Sequence, residues 1–503
     1  MSGRRPGTVA AVTGDTTTND THAADAPTLP DGWVAVVKRD CPTCVTVAPA
    51  LAELEAAGLP LTVFAQDDPS FPEQVAGRRD DTELVVSWHH DIETVPTLLR
   101  VEGGAETARL VGWDRDAWRS LTGVDSLGEG LPEHRPGCGS LSVDPERADE
   151  LAVRFRSGEL RARRVPIARL EDEMEALFDR GWTDGLPVVP PTPARVLRML
   201  EGTTRAPDEV VAVVPPDLVE CTVEKVAINA VMAGCRPEYL PVVLACVEAA
   251  CTDTFNMHGL LATTYFSGPV VMVNGPVAER IGMNSGGNAL GQGNRANATI
   301  GRALQLVVRN VGGGKPGGVD RATLGNPGKY TFCFAEREHD SPWEPMSVER
   351  GFAPGTSTVT LFAGHGPQGV VDQLSRTPES LARSFALHLR TMGHPKLVLA
   401  FDAVLVVSPE HARVFAEAGW DKARLRAELN ELLAADTDDL LRGVDGIEEG
   451  LPERVAGMRL PKFRDGGLLI VHAGGTAGLF SGIIGGWASG AVGSAPVTWE
   501  VGT

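Results

Sequence analysis

Residues 33–44 read Trp-Val-Ala-Val-Val-Lys-Arg-Asp-Cys-Pro-Thr-Cys, and this stretch decides the fold of the first part of the chain. The β-branched run at 33–37 predicts a buried strand, and the pattern of residues 45–57 predicts a helix directly after the two cysteines. Cys41 then lies at the N-terminus of that helix, where the macrodipole and the free N–H groups stabilise a thiolate. The pattern favours a redox-active pair, Cys41 and Cys44, over half of a zinc site, since no second Cys-x-x-Cys or paired histidine completes one.

The elements predicted after the dithiol complete a small unit around it. They are a strand at 61–65, a polar loop with a helix at 69–77, the segment Val95-Pro96-Thr97, a hairpin at 98–111 and a helix at 114–121. Over residues 29–123 this arrangement resembles the thioredoxin superfamily. The resemblance implies a cis proline at Pro96 beside the dithiol, with Cys41 as the attacking thiol and Cys44 as the resolving one. The Pro-Thr spacer and the preceding Arg39-Asp40 depart from thioredoxin itself.

Cys138 stands between glycines in Pro136-Gly137-Cys138-Gly139-Ser140, within a Gly-, Pro- and charge-rich connector at 124–165. Its neighbours cannot bury it locally, and we expect the glycine N–H groups and Arg135 to lower its pKa. We therefore interpret Cys138 as a reactive thiol, the alternative being an unremarkable loop cysteine. The other five cysteines have apolar contexts and read as small buried residues; they are Cys221, Cys235, Cys246, Cys251 and Cys333.

Strands alternate with capped helices in residues 166–503, which predicts a larger α/β domain of one or two subdomains with its loops gathered at strand ends. The fold class expected for the whole chain is α/β. Its predicted parts are a disordered tail at 1–29, the dithiol domain at 30–123, the connector at 124–165 and the larger domain at 166–503.

A Gly/Asn-rich loop at 282–302 leads into an amphipathic helix and is the strongest candidate for binding a small anion. The spacing fits neither a Walker A nor a Rossmann fingerprint. The alternative is that its amides only satisfy a long irregular loop. The candidate substrate-binding residues are Asn284, Asn288, Asn294, Arg295, Asn297 and Arg302.

Two residues of the larger domain are candidate acid/base groups. His365 lies between glycines where a strand at 358–362 is expected to end, and Tyr330 follows Lys329 just before another predicted strand. A proton donor at such strand ends suits catalysis, with Lys329 as a supporting charge. The alternative for each is an ordinary solvated or hydrogen-bonded position.

From about residue 133 onwards the chain resembles a bacterial family of (seleno)proteins named for its Sec-Gly-Ser-Cys motif, the UGSC-type proteins. Cys138 matches the selenocysteine of that motif, which implies a nucleophilic redox role. Leu141 stands where the motif has its closing cysteine, so the fused dithiol is expected to do the resolving. The other matching segments are residues 184–192, 222–225, 284–302 and 341–345.

Composition limits the partners. A formal charge of −20 argues against nucleic acid or an anionic membrane as the main partner. Eight cysteines in 503 residues are too few for a disulfide scaffold and suit a reducing cytoplasm. We expect no secretory signal, because no apolar run follows Arg4 and Arg5. Residues 466–492 lack charged side chains, but their many glycines favour a buried strand over a membrane helix.

The leading hypothesis is a thiol-dependent oxidoreductase in which Cys138 attacks a small, anionic substrate and the Cys41/Cys44 dithiol regenerates it. No cofactor or metal is expected, although a metal held by Cys138 with His365 or Cys333 stays open. The reductant would be an electron donor such as a thioredoxin reductase or a low-molecular-weight thiol. The alternatives are a sulfur-transfer or carbon–sulfur bond enzyme and a redox-sensing ligand-binding protein. The oligomeric state is left open, a homo-oligomer included.

Overall fold

The computed structural model describes residues 26–168, 171–440, 442–444, 447–449, 453–490 and 493–502. Within these ranges helices and strands mix in both parts of the chain, which confirms the predicted α/β class. The chain forms two compact units, Met1–Glu159 and Leu160–Thr503, and the predicted connector at 124–165 belongs mainly to the first. Most of the predicted N-terminal tail lies outside the described residues.

The first unit holds nine strands and four α-helices in its described part. The strands are β1 Gly32–Val37, β2 Leu61–Ala65, β3 Arg78–Asp80, β4 Thr94–Val95, β5 Thr97–Glu102, β6 Ala105–Val111, β7 Trp113–Asp114, β8 His134–Arg135 and β9 Cys138–Gly139. The helices are α1 Pro42–Ala56, α2 Val85–His89, α3 Arg115–Thr122 and α4 Ala148–Arg156. Short 3₁₀ helices follow at Leu141–Val143 and Ser157–Glu159.

Five of these strands make one mixed sheet in the order β3-β2-β1-β5-β6. Strands β1, β2 and β3 run parallel, and β5 and β6 are antiparallel to their neighbours. Every residue of β1 is buried. Its apolar side chains point alternately to the two faces of the sheet, so a run that is apolar throughout is typical of a strand covered on both faces. The predicted strand, helix, strand and hairpin order around the dithiol is therefore what the first unit contains.

The predicted helix at 69–77 is wrong. This segment is irregular, since Pro72 lacks an N–H group and disfavours helical geometry at Phe71. A short helix that the pattern did not predict, α2, follows instead. The Asp81 carboxylate accepts hydrogen bonds from the backbone N–H groups of Val86 and Ser87 at 2.8 and 3.0 Å. These bonds give partners to N–H groups in the first turn of α2 that have none within the helix.

The second unit has twelve helices and thirteen strands in its described part. The helices are α5 Glu173–Asp179, α6 Pro193–Leu200, α7 Val223–Ala233, α8 Leu240–Ala250, α9 Met257–Ala262, α10 Pro276–Arg280, α11 Arg295–Asn310, α12 Met346–Glu349, α13 Pro378–Arg390, α14 Pro409–Glu417, α15 Lys422–Leu433 and α16 Thr437–Leu440. The strands are β10 Val210–Val214, β11 Val219–Thr222, β12 Gly268–Asn274, β13 Cys333–Ala335, β14 Thr358–Val371, β15 Phe401–Val407, β16 Ala435–Asp436, β17 Arg442–Val444, β18 Ile447–Glu449, β19 Arg459–Leu460, β20 Leu468–His472, β21 Phe480–Ala488 and β22 Val497–Glu500. Further 3₁₀ helices are Pro237–Tyr239, Pro327–Lys329 and Glu453–Val455.

A seven-stranded mixed sheet organises the second unit, in the order β13-β12-β14-β21-β15-β20, with β22 also paired to β14. The expectation that the strand starting at Thr358 ends at residue 362 is wrong. Strand β14 continues through Gly364-His365-Gly366 to Val371, because β21 supplies an antiparallel partner along that stretch with a register shift after Gly364. His365 consequently lies within a strand.

The uncharged stretch at 466–490 forms strands β20 and β21, and β20 is buried throughout. Residues 491 and 492, at the end of the same stretch, lie outside the described residues. None of the helices in the described ranges is long and apolar enough to cross a membrane.

Helix α13 offers a matched pair of leucines for testing the core of the second unit. Leu389 is fully buried and Leu387 is 67% exposed, two residues apart on the same helix. We expect Leu389→Ala to lower the free energy of unfolding by about 2–5 kcal/mol, through lost burial and the cavity left behind. Leu387→Ala should change it by less than about 0.5 kcal/mol. Urea denaturation followed by tryptophan fluorescence measures both, and equal effects would contradict the packing described.

Candidate functional site

The dithiol lies at the start of helix α1, as the sequence predicts. Cys41 is the N-cap residue with extended backbone, and its sulfur accepts a hydrogen bond from the Cys44 N–H at 3.4 Å. Pro42 occupies the first helical position, where its missing N–H costs nothing. The helix therefore begins with its dipole and its first N–H groups directed at one sulfur atom.

The two thiols of this motif have opposite acidities. Hydrogen bonds from the Cys44 and Cys138 thiols and from the Cys44 and Thr43 N–H groups outweigh burial and lower the pKa of Cys41 to about 5. Burial, and then the adjoining Cys41, raise the pKa of Cys44 far above the ordinary thiol value. At neutral pH Cys41 is thus a thiolate and Cys44 a thiol, the arrangement that an attacking and a resolving cysteine require.

Cys138 lies beside this pair within the first unit. Strand β9 pairs antiparallel with β4, so that Cys138 faces Val95 and Gly139 faces Thr94. The Val95-Pro96 peptide bond is cis, and the Cys41 thiol lies 3.6 Å from the Val95 carbonyl oxygen, to which it donates when protonated. Backbone pairing across the Val95-Pro96 segment therefore sets the Cys138 sulfur next to the Cys41 sulfur.

Gly137 makes this close approach of β9 feasible. A Cβ atom at residue 137 would lie 2.3 Å from Thr94 Cγ2 and 2.8 Å from the Val95 carbonyl oxygen, both far below contact distance. At Gly139, by contrast, a Cβ would meet nothing within 4 Å. The first glycine of the Gly-Cys-Gly motif is needed for packing and the second is not.

Hydrogen bonds that the sequence did not predict hold the Cys138 segment in place. Lys38 Nζ donates to the Gly139 carbonyl at 2.8 Å, and Thr43 Oγ1 donates to the Pro136 carbonyl at 2.7 Å. Farther along, the Gln66 amide donates to Ser140 Oγ at 2.5 Å and accepts from the Leu141 N–H at 3.0 Å. These residues follow a strand or lie inside the motif, but no local pattern distinguishes them from ordinary surface groups.

The expectation that Arg135 and the glycine N–H groups lower the pKa of Cys138 is wrong. Burial, and then the Cys41 sulfur, raise it, while Lys38 and the Thr43 N–H oppose them. Arg135 is exposed in β8, which pairs with β7. The acidity that the sequence suggested for Cys138 belongs instead to Cys41, because the thiol of Cys138 acts as hydrogen-bond donor to it.

Solvent reaches these three sulfur atoms unequally. Cys41 and Cys44 are completely buried, and Cys138 is partly exposed at the edge of the same core. None of the three is in a disulfide. A small reagent in solution therefore meets the Cys138 sulfur before the two buried ones.

The polar side chains of the predicted anion loop, in the second unit, hold the loop together. Asn294 caps helix α11 by accepting from the Asn297 N–H at 3.1 Å and donates to the Gly282 carbonyl. The buried amide of Asn297 in turn accepts from the Asn284 N–H and donates to the Asn284 and Ala289 carbonyls. Asn288 has a positive φ of 62° and donates to the Gln292 carbonyl at 2.6 Å.

The two arginines of this region also have internal partners. Arg302 makes two hydrogen bonds of 2.8 Å to the Asp184 carboxylate, which hold the pKa of that acid below its usual range despite burial. Arg295 Nε donates to the Gly234 carbonyl at 2.9 Å. Anion binding by these residues stays a prediction, and a ligand would compete with the contacts they already make.

The predicted acid/base residues of the second unit, His365 and Tyr330, and the supporting Lys329 each have different surroundings. His365 Nδ1 lies 2.8 Å from the Gly366 carbonyl, and its ring packs near Tyr265 and Phe266. Tyr330 is 47% exposed, and Lys329 forms an ion pair with Asp320 at 2.6 Å. Their roles in catalysis stay predictions.

The remaining cysteines match the expectation of small buried residues, except that Cys251 is only partly buried. Burial raises the pKa of each of them. Over the part of the chain that the structure describes, no group of three or more His, Cys, Asp or Glu side chains is placed to hold a metal ion. Searches of protein-family models, curated proteins and solved structures find no match to this chain.

Gly137→Ala tests the pairing that brings Cys138 to Cys41. The added methyl group must displace β9 from Val95. With both glycine variants made in the Cys44→Ser background, where no resolving thiol removes the product, we expect Gly137→Ala to slow Cys41–Cys138 disulfide formation under mild oxidation about tenfold or more. Gly139→Ala is the matched control and should leave that rate unchanged. Non-reducing peptide mapping over a time course measures both, and equal rates in the two variants would contradict the geometry.

The pH dependence of the thiolate is a second test. In the reduced protein, thiolate absorbance near 240 nm should titrate with a midpoint of about pH 5, and Cys41→Ser should remove that transition. Because folding lowers the pKa of Cys41, its ionisation stabilises the fold fully above the ordinary thiol pKa, and this contribution is lost as pH falls towards 5. The stability of the wild type relative to Cys41→Ser should therefore rise between pH 5 and 9. A midpoint near that of a free thiol would contradict this.

Proposed function

We propose that the protein is a thiol-dependent oxidoreductase in which Cys138 reacts with a small substrate and the Cys41/Cys44 dithiol reduces it again. The observation that carries the proposal is the pairing of Cys138 with Val95, beside a Cys41 sulfur whose pKa is about 5. Three cysteines of graded exposure and acidity in one unit form an ordered path for an electron pair.

The first step uses Cys138 as the nucleophile. Its thiol donates a hydrogen bond to the Cys41 thiolate, which takes the proton as the Cys138 sulfur attacks. With a substrate of the type R–S–X, the sulfur–X bond breaks, a Cys138–S–S–R adduct forms and X leaves with its electron pair. The partial exposure of Cys138 supports this assignment, because the two dithiol sulfurs are buried.

The later steps return Cys138 to its thiol. Cys41 gives its proton to X⁻, attacks the Cys138 sulfur and displaces R–S⁻, which takes a proton from water, and a Cys41–Cys138 disulfide results. Cys44 then loses its proton, attacks Cys41 and releases the Cys138 thiol, leaving the Cys41–Cys44 disulfide. The substrate gains two electrons and the dithiol loses two, so an outside thiol or a thioredoxin reductase must restore the pair.

The strand order of the first unit supports a thioredoxin-like assignment. A parallel pair flanks the dithiol helix, an antiparallel hairpin follows a cis Pro96, and helix α3 comes after it. The UGSC-type resemblance, which begins at about residue 133 and includes Cys138, agrees with a redox role for this residue. We assign the substrate to the class of small molecules and the reaction to a reducing, cytoplasmic setting.

Cys44→Ser is the decisive variant for this route. Without the resolving thiol, a limited amount of glutathione disulfide should convert most of the reduced protein to the Cys41–Cys138 disulfide, whereas the wild type should end as Cys41–Cys44. Intact-mass measurement and non-reducing peptide mapping identify the products.

Cys251→Ser is the matched control, since Cys251 is the other partly exposed cysteine and lies in the second unit. It should behave as the wild type does. If Cys44→Ser instead gives Cys41 and Cys138 separately glutathionylated and never joined, the proposed exchange does not occur.

A further inference from the structure

A cleft of about 500 Å³ opens in the second unit, and none of the described residues that line it is a cysteine. Part of its wall comes from residues 288–291 of the Gly/Asn-rich loop and from residues 473–475 and 477, which follow strand β20. Strands β14, β15 and β21 and the residue that precedes helix α14, Ser408, supply the rest. The function proposed above makes no use of the polar groups at its floor.

Among the described residues, those that line this cleft include no charged side chain. Its polar side chains are two amides, Asn288 and Gln368, and two hydroxyls, Ser408 and Ser481, among glycines and apolar residues. Because an ion pays a desolvation cost in such surroundings without a charged partner, the cleft suits a neutral molecule.

Ser481, at the floor of the cleft, is hydrogen-bonded to a buried histidine. His411 Nδ1 lies 2.8 Å from Ser481 Oγ, and His411 Nε2 lies 3.0 Å from the Asp372 carbonyl oxygen. A carbonyl oxygen only accepts, so Nε2 carries the proton and Nδ1 presents its lone pair to the Ser481 hydroxyl. Burial also lowers the pKa of His411, which favours the neutral ring, the form that can accept a proton.

Ser408 adds an unused hydroxyl to the same floor. Its backbone N–H donates to Ser481 Oγ at 3.3 Å, which brings the two serines together. Ser408 is only 8% exposed, and its Oγ has no hydrogen-bond partner among the described residues. Although Ser408 occupies the N-cap position of α14, its side chain does not cap the helix and so can donate to a molecule in the cleft.

We propose that Ser481 is a nucleophile for neutral carboxylic esters, with His411 as its general base and the Ser408 hydroxyl as a donor to the ester carbonyl. The Ser481 proton passes to His411 Nδ1 as Oγ attacks the carbonyl carbon. The tetrahedral oxyanion accepts from Ser408, the carbon–alkoxy bond breaks, and the alcohol leaves with the proton from His411. Water hydrolyses the acyl-Ser481 by the same proton route and releases the carboxylic acid.

Covalent labelling of the full-length protein with an uncharged fluorophosphonate tests this assignment. Oγ of an activated serine displaces fluoride from phosphorus, so peptide mapping of the labelled wild type should place the modification on Ser481. His411→Gln should slow labelling by at least about 100-fold, the usual contribution of a general base. Near-UV circular dichroism checks that the variant is folded.

Ser267→Ala is the matched control, because Ser267 is also buried and its Oγ has no partner among the described residues. It should label at the wild-type rate, as should Cys138→Ser, since this chemistry is independent of the thiol route. A folded wild type that stays unlabelled, or is labelled at another residue, overturns the proposal without reference to any variant.

Discussion

The site in the first unit depends on the antiparallel pairing of β9 with β4. Two residue pairs, Val95 with Cys138 and Thr94 with Gly139, bring together segments far apart in sequence beside the dithiol. Without that pairing, Cys138 would be one thiol in an irregular segment, and the Cys41 sulfur would lose one of its hydrogen-bond donors. The fixed backbone, and not the identity of the cysteine alone, turns three thiols into a connected group.

The contrasting acidities of Cys41 and Cys44 follow from their places on one helix. Both lie in the same core, where burial by itself raises the pKa of any thiol. Cys41 escapes this because the helix N-terminus and two neighbouring thiols direct hydrogen bonds to it, whereas Cys44, one turn along, faces apolar packing. The low pKa of one sulfur thus depends on its neighbours remaining protonated donors, which couples the three groups chemically.

Local patterns in the sequence predicted what local physics controls. The β-branched run before Cys41, the dithiol at a helix N-terminus and the α/β class all follow from periodicity and capping. Elements set by distant partners were missed or misread. His365 reads as a loop residue because glycines flank it, yet β21 pairs along that stretch and extends the strand. Gly137 likewise reads as loop composition, although its lack of a side chain is what admits Val95.

Contacts with distant residues also explain why the sequence does not show which polar groups of the second unit are available to a ligand. Asparagine and arginine near a helix N-terminus predict donors for an anion, but their groups are equally suited to closing the loop that carries them, and Asn297 does this with three backbone partners. Composition counts donors without showing which remain unused. Ser408, at the cleft of the second unit, has a hydroxyl without a partner among the described residues, and an ordinary N-cap serine in the sequence gives no sign of this. Hydrogen bonds left unmade, more than polar residues present, therefore mark where a ligand can add stabilising contacts.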